Sequence, residues 1–379
     1  MKKYINWFAY LTLISAFVFG YFGRNNDEGL SELELLTEKH LQLGEGDADI
    51  YPLQDEKGLV GYLAKGEAQG YGGPLRVVVV ADTSGTIIGT ELVKSFETVS
   101  FLAKLENNKY YDQYNLKHVN DRFELKSDLE AVSGATVSSL AIANATREAS
   151  YKIAEQKLHV EVPRVEKKWR FGRKEGITFL IFLIGVVASF WRINKLKYVS
   201  LFLGFVCIGF LFNASLSLTH LGRTFLGYFP DIHTHFVWWL LMAGTFTIVI
   251  VWGKNVYCNT MCPFRATQMI LNKISGINLK LPAKLSKTLA QTPYVLLWFS
   301  LVIIFISANP TMASYEPFAM MFSLKGVGLQ WYILPASLIG ALFFSNFFCR
   351  FFCPVGGSLR WMLKVRKQVI GAVSNKKSN

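Results

Sequence analysis

Long apolar stretches alternate along this chain with one extended polar stretch. A helix needs roughly 20 predominantly apolar residues to cross the hydrocarbon core of a bilayer. Six runs approach or reach that length, at residues 5–22, 176–193, 197–218, 232–252, 292–308 and 329–348. The pattern predicts a transmembrane anchor at 1–23, a soluble domain inserted at 24–165, a five-helix membrane domain at 176–358 and a basic tail at 359–379.

The polar stretch has the patterns of both strands and helices. In "LRVVVVADTSGTIIGTELV", two β-branched runs flank the turn residues 82–85, which predicts a β-hairpin. "SSLAIANATREASYKIAEQKL" has apolar residues at helical spacing, which predicts a helix at the end of the domain. The predicted fold is therefore an α+β domain after an anchor helix, followed by an all-α polytopic membrane domain, with six transmembrane helices in total.

Composition and charge refine this topology. The formal charge is +13, and 51% of the 379 residues are apolar. Basic residues gather beside the ends of the apolar runs, as in cytoplasmic loops, which argues against nucleic acid as a partner. With the N-terminus on the cytoplasmic side of a bacterial cytoplasmic membrane, six spans place the C-terminus on that side as well. Residues 24–165 then lie on the outer side of the membrane. The basic cluster at 164–174 would then also lie outside, but long domains are translocated largely regardless of charge. We interpret the first run as an uncleaved signal anchor, because it shows no small-residue cleavage site.

The polar domain contains the stretch "DLEAVSGATVSS" at 128–139, directly before its last helix. One interpretation is an N-cap, in which Ser133 or Thr136 accepts hydrogen bonds from the first amides of the helix. The other interpretation is an anion site at the same helix N-terminus. A helix N-terminus is a site for anions, so a threonine hydroxyl there is well placed to carry a phosphate ester.

This stretch resembles the flavinylation motif of FMN-binding domains, found in sodium-pumping quinone reductases, Rnf complexes and NosR/NirI-type membrane proteins. The resemblance implies that a FAD-dependent flavin transferase attaches FMN through its phosphate to Thr136. It also implies roles in the cofactor site for further residues of the motif, namely Asp128, Ser133, Gly134, Ala135 and Ser138. Glu97 and Thr98 resemble the Glu-Thr pair of the same domains, although Val99 and Ser100 replace the usual Pro-Gly. "GYGGPLRVVVV" at 70–80 resembles the glycine-rich segment that leads into their central hairpin.

The membrane half contains two matching cysteine pairs, "NVYCNTMCPF" and "NFFCRFFCPV". Each pair follows an apolar run, and the four residues are Cys258, Cys262, Cys349 and Cys353. Thiolates four residues apart share one side of a helical turn. The Cys-x3-Cys-Pro ending is also that of ferredoxin motifs that hold a [4Fe–4S] cluster. A four-cysteine zinc site is the alternative, and disulfides are not expected on the reducing side of the membrane. One cluster would need the two pairs to converge.

The order of these motifs resembles the NosR/NirI/PceC group of membrane flavoproteins, and most closely its short PceC-like form without C-terminal ferredoxin motifs. The resemblance implies electron transfer between a cytoplasmic-side iron–sulfur cluster or quinone pool and extracytoplasmic FMN, supplying a periplasmic or exterior-facing reductase. Such a protein is a component of a respiratory system and not a stand-alone enzyme, so no catalytic residue is assigned. The alternative is a redox-sensing regulator or a maturation factor for a respiratory reductase.

Three histidines, His220, His233 and His235, fall near the predicted outer ends of the third and fourth spans. They are candidates for haem ligation or for a quinone site, but we favour the interpretation that they are ordinary interfacial loop residues. Haem is accordingly not expected, while a quinone stays a possible cofactor.

Overall fold

A computed structural model describes residues 2–25, 42–44, 49–56, 58–97, 99–164, 169, 171–324, 326 and 328–376. The chain divides into two compact units. One unit comprises Met1–Phe19, Trp169–Gly222 and Asp231–Asn379. The other comprises Gly20–Lys168 together with Arg223–Pro230, a short segment distant in sequence from the rest of its unit. We call the first the helical unit and the second the sheet unit.

The sheet unit is built on an antiparallel five-stranded sheet in which neighbours in sequence are neighbours in space. Its strands are β1 (Gln42–Leu43), β2 (Ile50–Asp55), β3 (Gly58–Gln69), β4 (Pro74–Asp82) and β5 (Ile87–Ser95). The predicted hairpin is confirmed as β4 and β5. Its turn is held by Asp82, whose Oδ1 accepts hydrogen bonds from the amides of Ser84 at 2.9 Å and Thr86 at 2.8 Å.

Helices cover one face of this sheet. They are α2 (Val99–Asn107), a 3-10 turn (Tyr110–Tyr114) and α3 (Thr136–Ile153), which continues as a π-helical turn (Ala154–Leu158). The predicted last helix is confirmed as α3. Ala141, Ala145 and Ala149 lie four residues apart on its buried face. The helix approaches β3 so closely that a Cβ atom on Gly66 would lie 2.0 Å from the carbonyl oxygen of Ala145, so only glycine fits there.

The remaining described elements are helical. They are α1 (Lys2–Asn25), α4 (Arg173–Phe190), α5 (Asn194–Leu203) with a π-helical continuation (Gly204–Leu211), α6 (Leu218–Leu226), α7 (Phe236–Trp239) joined by a π-helical turn (Leu240–Gly244) to α8 (Thr245–Trp252), a π-helical turn (Tyr257–Met261), α9 (Pro263–Ser275), α10 (Ala283–Leu289), α11 (Thr292–Ser307), α12 (Phe318–Ser323), α13 (Gln330–Phe343), α14 (Phe347–Phe351) and α15 (Pro354–Lys376). The predicted order, an α+β region followed by an all-helical region, is confirmed.

Two helical stretches of the described chain are long and apolar enough to cross a membrane, Asn194–Leu211 and Ala283–Ser307. Three shorter apolar helices coincide with other predicted runs, at Trp7–Phe22, Phe236–Trp252 and Gln330–Phe343. The count of six spans and their orientation stay predictions.

Close helix packing positions the turn that carries Cys258. A Cβ atom on Gly204, at the start of the π-helical continuation of α5, would lie 2.3 Å from the carbonyl oxygen of Met261. A Cβ atom on Gly185 in α4 would lie 2.6 Å from Oγ1 of Thr260. Small residues at these two positions therefore allow both helices to pack directly against the cysteine-bearing turn.

Candidate cofactor sites

Thr136 is the first residue of α3, and its side chain is exposed. The N-cap position belongs to Ala135, which has no polar side chain and makes no side-chain capping hydrogen bond. The prediction that Ser133 or Thr136 caps the helix is therefore wrong. The cap position falls on a buried alanine because Ala135 packs into the core, 4% exposed. The Thr136 side chain instead stands exposed at the positive end of an 18-residue helix.

The turn before Thr136 depends on Gly134 and lies beside a lysine. Gly134 has φ +76°, the left-handed region that favours glycine. The Lys104 Nζ atom, from α2, donates to the Gly134 carbonyl at 3.4 Å. A cation thus lies next to the residue predicted to carry a phosphate. The sequence contained no signal for Lys104, because the pairing depends on how α2 packs near α3.

Glu97 is buried against the glycine-rich turn between β3 and β4. It is 4% exposed, and its Oε1 accepts a hydrogen bond from the Tyr71 amide at 2.5 Å. A Cβ atom on Gly70 would lie 1.9 Å from that oxygen, so the turn is shaped around the carboxyl group. Burial raises the pKa of Glu97 above its ordinary value. Thr98, the other half of the predicted pair, lies outside the described residues.

Two buried oxygens in this region fit a bound group. Within the described residues, neither Glu97 Oε2 nor Ser138 Oγ has a partner with normal hydrogen-bond distance and angles, although the Ser138 hydroxyl is close enough to the Glu97 carboxyl group to lower its pKa. Ser138 is 1% exposed and its hydroxyl faces the Glu97 carboxyl group. Buried polar atoms are nearly always satisfied in native proteins. An FMN with its phosphate on Thr136 is a polar ligand that agrees with this arrangement.

Arg223 was not identified from the sequence as a residue of this site, although it belongs to the sheet unit. Its guanidinium is fully buried and its Nη1 donates to the carbonyl oxygens of Gly70 at 2.8 Å and Tyr71 at 2.5 Å. Its Nη2 donates to Gln69 Oε1 at 3.2 Å. Burial lowers the pKa of Arg223 to about 10, which leaves it charged at neutral pH. Arg223 and Glu97 therefore both hold the glycine-rich turn through hydrogen bonds with its backbone.

Asp128 has a local role in the structure. Its carboxylate accepts hydrogen bonds from the amides of Phe123 at 2.9 Å and Glu124 at 2.6 Å, and it pairs with Lys117 at 3.5 Å. It therefore shapes the loop that leads to the Ser-Gly-Ala-Thr turn. None of the predicted flavin residues lines the cavity of about 280 Å³ found elsewhere in this unit, beside β4 and β5.

The four cysteines of the helical unit line one cavity of about 300 Å³. Cys258 lies in the π-helical turn before α9, and Cys349 lies in α14. The second cysteine of each pair directly precedes a helix that begins with proline, α9 for Cys262 and α15 for Cys353. Proline is favoured at that position because its missing N–H would have no helical partner. The two repeats thus bring both pairs to one place.

Neighbouring groups donate hydrogen bonds to two of the sulfur atoms. The Gly356 amide donates to Cys353 Sγ at 3.2 Å, at the N-terminus of α15. The Gln268 side chain, from α9 of the first repeat, donates to Cys349 Sγ of the second repeat at 3.0 Å. Its Oε1 also accepts from the Phe348 amide at 2.8 Å. Gln268 had no signal in the sequence, because its target lies in the other repeat.

The thiols are held in a desolvated environment. Burial raises the pKa of each of the four, that of Cys349 to about 11, while Arg265 and Arg360 lower the pKa of Cys258 and Cys349. Without a bound cation the thiols are therefore protonated. A metal group that binds here must displace their protons.

The donor set and the size of the cavity fit an iron–sulfur cluster. A zinc ion bound by four cysteines would need all four sulfurs to meet at one point, with Zn–S bonds of about 2.3 Å. The cysteines instead surround a space of about 300 Å³, roughly ten times the volume of one water molecule in the liquid.

The three histidines make local hydrogen bonds through Nδ1. His220 is bonded to the Ser217 hydroxyl at 2.7 Å, His233 to Asp231 at 2.8 Å and His235 to the Thr234 hydroxyl at 2.8 Å. Each of these partners lies within three residues of its histidine in sequence. The bonds therefore order the loops before α6 and α7.

Comparison with known proteins agrees with both sites. A model described as "FMN-binding domain" matches residues 70–150, and a model described as "4Fe-4S binding domain" matches 234–282 and 332–372. The second match covers both cysteine repeats.

Curated relatives share parts of the chain. The Regulatory protein NosR of Pseudomonas aeruginosa is 27% identical over 188 residues, 46% of this chain and 26% of its own length. The Protein NirI of Paracoccus denitrificans is 29% identical over 126 residues, 31% of this chain and 18% of its own length. The Regulatory protein NosR of Stutzerimonas stutzeri is 30% identical over 135 residues, 33% of this chain and 18% of its own length.

The chain spans only about a quarter of the length of the Pseudomonas NosR and less than a fifth of that NirI. It carries an FMN-binding domain and a 4Fe-4S binding domain, and it is homologous at modest identity to the Regulatory protein NosR and the Protein NirI.

Proposed function

We propose that this chain is a membrane-bound electron-transfer protein that links an iron–sulfur cluster to covalently attached FMN. The observation that carries the proposal is the convergence of two cysteine pairs on one cavity, in a chain that also presents Thr136 at a helix N-terminus. The matched FMN-binding and 4Fe-4S domains support membrane electron transfer in general terms.

In this proposal Cys258, Cys262, Cys349 and Cys353 hold a [4Fe–4S] cluster, which supplies one-electron redox chemistry when bound. Gln268 and the Gly356 amide donate hydrogen bonds to its ligands. The FMN phosphate is esterified to Thr136 by a FAD-dependent flavin transferase, with Ser133, Gly134 and Ala135 shaping the turn.

Asp128 orders the loop before that turn, and Glu97 and Ser138 contact the flavin; Thr98 is assigned to the same site from the sequence motif alone. The sheet unit is extracytoplasmic, and the cysteines and C-terminus are cytoplasmic, in a bacterial inner membrane. A bilayer core about 30 Å thick is wide for a single electron hop, so a quinone is a candidate intermediate carrier. The electrons leave to a periplasmic or exterior-facing reductase.

Covalent flavin is tested by producing the full chain with a flavin transferase and recording flavin fluorescence on a denaturing gel. Wild-type protein and Ser133→Ala should fluoresce, because both keep the Thr136 hydroxyl. Thr136→Val should be dark. Fluorescence that persists in Thr136→Val would exclude this residue as the attachment point.

The cluster is tested by iron and sulfide content per chain and by the visible absorption of protein purified without oxygen. Cys258→Ala should lose the cluster. Cys207→Ala is the matched control, because Cys207 does not line the cavity. Equal losses of iron in both variants would refute the assigned ligands.

Electron transfer itself is tested in inverted membrane vesicles with a membrane-impermeant reductant outside, on the original cytoplasmic face. Flavin reduction should be fast in the wild type and strongly slowed in Cys258→Ala. Equal rates would show that the cluster does not feed the flavin.

The alternative is a redox-sensing regulator or a maturation factor, which is favoured by the similarity to two proteins named Regulatory protein NosR. A carrier should sustain continuous oxidation of its reduced flavin by a partner at respiratory rates. A sensor should show a single turnover and a change in reductase expression or assembly instead.

A further inference from the structure

Two arginines line the same cavity as the four cysteines. Arg265 lies three residues after Cys262, and Arg360 lies seven residues after Cys353. Positions three and seven residues along a helix fall on one face, so both arginines lie on the helix face of the cysteine that precedes α9 or α15. Each repeat therefore contributes one cysteine pair and one arginine to the cavity.

Both guanidinium groups have a donor without a protein partner. Arg265 donates from Nη1 to Asn259 Oδ1 at 3.0 Å, and Arg360 donates from Nη1 to the Cys349 carbonyl at 3.1 Å. Arg265 Nε and Arg360 Nη2 are buried, and neither has a hydrogen-bond partner among the described residues. A buried N–H of a charged group without a partner is costly, so these donors favour an acceptor inside the cavity.

The charged side chains that line the cavity, apart from the cysteines, are both positive. Apart from the cysteines, Arg265 and Arg360 are its only titratable side chains with a formal charge at neutral pH, and no carboxylate belongs to the described lining. The buried acid Glu316 does not belong to this lining, and its Oε2 accepts a hydrogen bond from the Leu218 amide at 2.6 Å. A site lined this way favours an anion.

We propose that Arg265 and Arg360 are positioning residues that stabilise the reduced state of the cluster, by donating hydrogen bonds and by compensating its negative charge. The inference rests on the proposed function, since it requires the cluster. A cluster held by four thiolates becomes more negative by one charge when it accepts an electron. Nearby cations and hydrogen bonds to its sulfurs therefore favour the reduced form and raise the reduction potential.

The test is a redox titration of the purified full chain, monitored by the electron paramagnetic resonance signal of the reduced cluster. Arg265→Gln and Arg360→Gln should each shift the ratio of reduced to oxidised cluster at a fixed potential at least about tenfold toward oxidised, which is about 59 mV for a one-electron couple. The double variant should shift further than either single variant. Arg265→Lys should shift less than Arg265→Gln, because it keeps the charge.

The chain contains a matched control. Arg350 lies inside a Cys-x3-Cys motif, between Cys349 and Cys353, but its side chain is exposed and bonds to Ser286 Oγ at 2.5 Å. It does not line the cavity. Arg350→Gln also removes one positive charge next to a cysteine in sequence, but outside the cavity, and should leave the reduction potential unchanged. A shift in this control equal to that in Arg265→Gln would overturn the proposal.

Iron content separates the remaining outcomes. If wild-type protein contains no cluster, the proposed function fails and this inference fails with it. If the cluster is present and both glutamine variants titrate like the wild type, only the arginine proposal is refuted. If Arg265→Gln loses iron while Arg265→Lys keeps it, the charge is needed to hold the anionic cluster, which supports the proposal. Loss of iron in both shows that the packing of the side chain matters instead, and contradicts it.

Discussion

Replacement of Arg223 by methionine should destabilise the sheet unit specifically. The change removes at least four hydrogen bonds, to the carbonyls of Gly70, Tyr71 and Tyr228 and to the side chain of Gln69. It also leaves the buried Glu97 carboxyl group without the nearby cation. Hydrogen bonds to charged groups contribute about 1.5–3 kcal/mol each. Because these contributions overlap, we expect the free energy of unfolding to fall by about 3–5 kcal/mol.

Hydrogen–deuterium exchange of the full-length chain in detergent measures this change where it occurs. Amides of β3 and β4 that exchange by global opening should exchange between about a hundredfold and a few thousandfold faster, since 1.4 kcal/mol corresponds to about tenfold. Arg76→Met is the control, because the Arg76–Glu67 pair is partly exposed, with side-chain exposures of 27% and 54%. Such surface pairs contribute about 1 kcal/mol or less. Equal effects of the two variants would refute the argument that Arg223 holds the glycine-rich turn.

Three further predictions concern other residues of the two sites. Burial raises the pKa of Glu97 in the folded chain above its value of about 4.5 in the unfolded chain. Between these two pKa values the folded chain keeps a proton that the unfolded chain has lost, so stability falls as pH rises through that range. Glu97→Gln should flatten this part of a stability–pH profile, and an unchanged slope would contradict the assignment. Gly134→Ala should lower the free energy of unfolding by about 1–2 kcal/mol, because Gly134 has φ +76°. Gly89→Ala should not lower it, since a Cβ atom at Gly89 meets nothing within 4 Å. Denaturant unfolding of the two variants measures the difference. Gln268→Leu should lower the iron content per chain, because it removes the donor to Cys349, and full iron content would show that this hydrogen bond is dispensable.

The sequence predicted the local elements well, since their signals are local. The β4–β5 hairpin follows from β-branched runs around a turn, and α3 follows from apolar residues at helical spacing. The Cys-x3-Cys-Pro motifs were visible for the same reason, because each pair lies within one short segment. The prediction of a side-chain cap at the Ser-Gly-Ala-Thr turn was wrong, since spacing alone does not tell which residue of that turn is drawn into the core.

What the sequence determined by itself is therefore the order of the domains, the two cofactor motifs and the identity of the residues in them. Only the tertiary structure brought Cys258 and Cys262 to the same cavity as Cys349 and Cys353. It also placed Arg223 on the glycine-rich turn and Lys104 beside Gly134. The physical reason is that helical and strand periodicity reports on which face of an element is buried, whereas a contact between distant segments depends on packing that no single segment encodes.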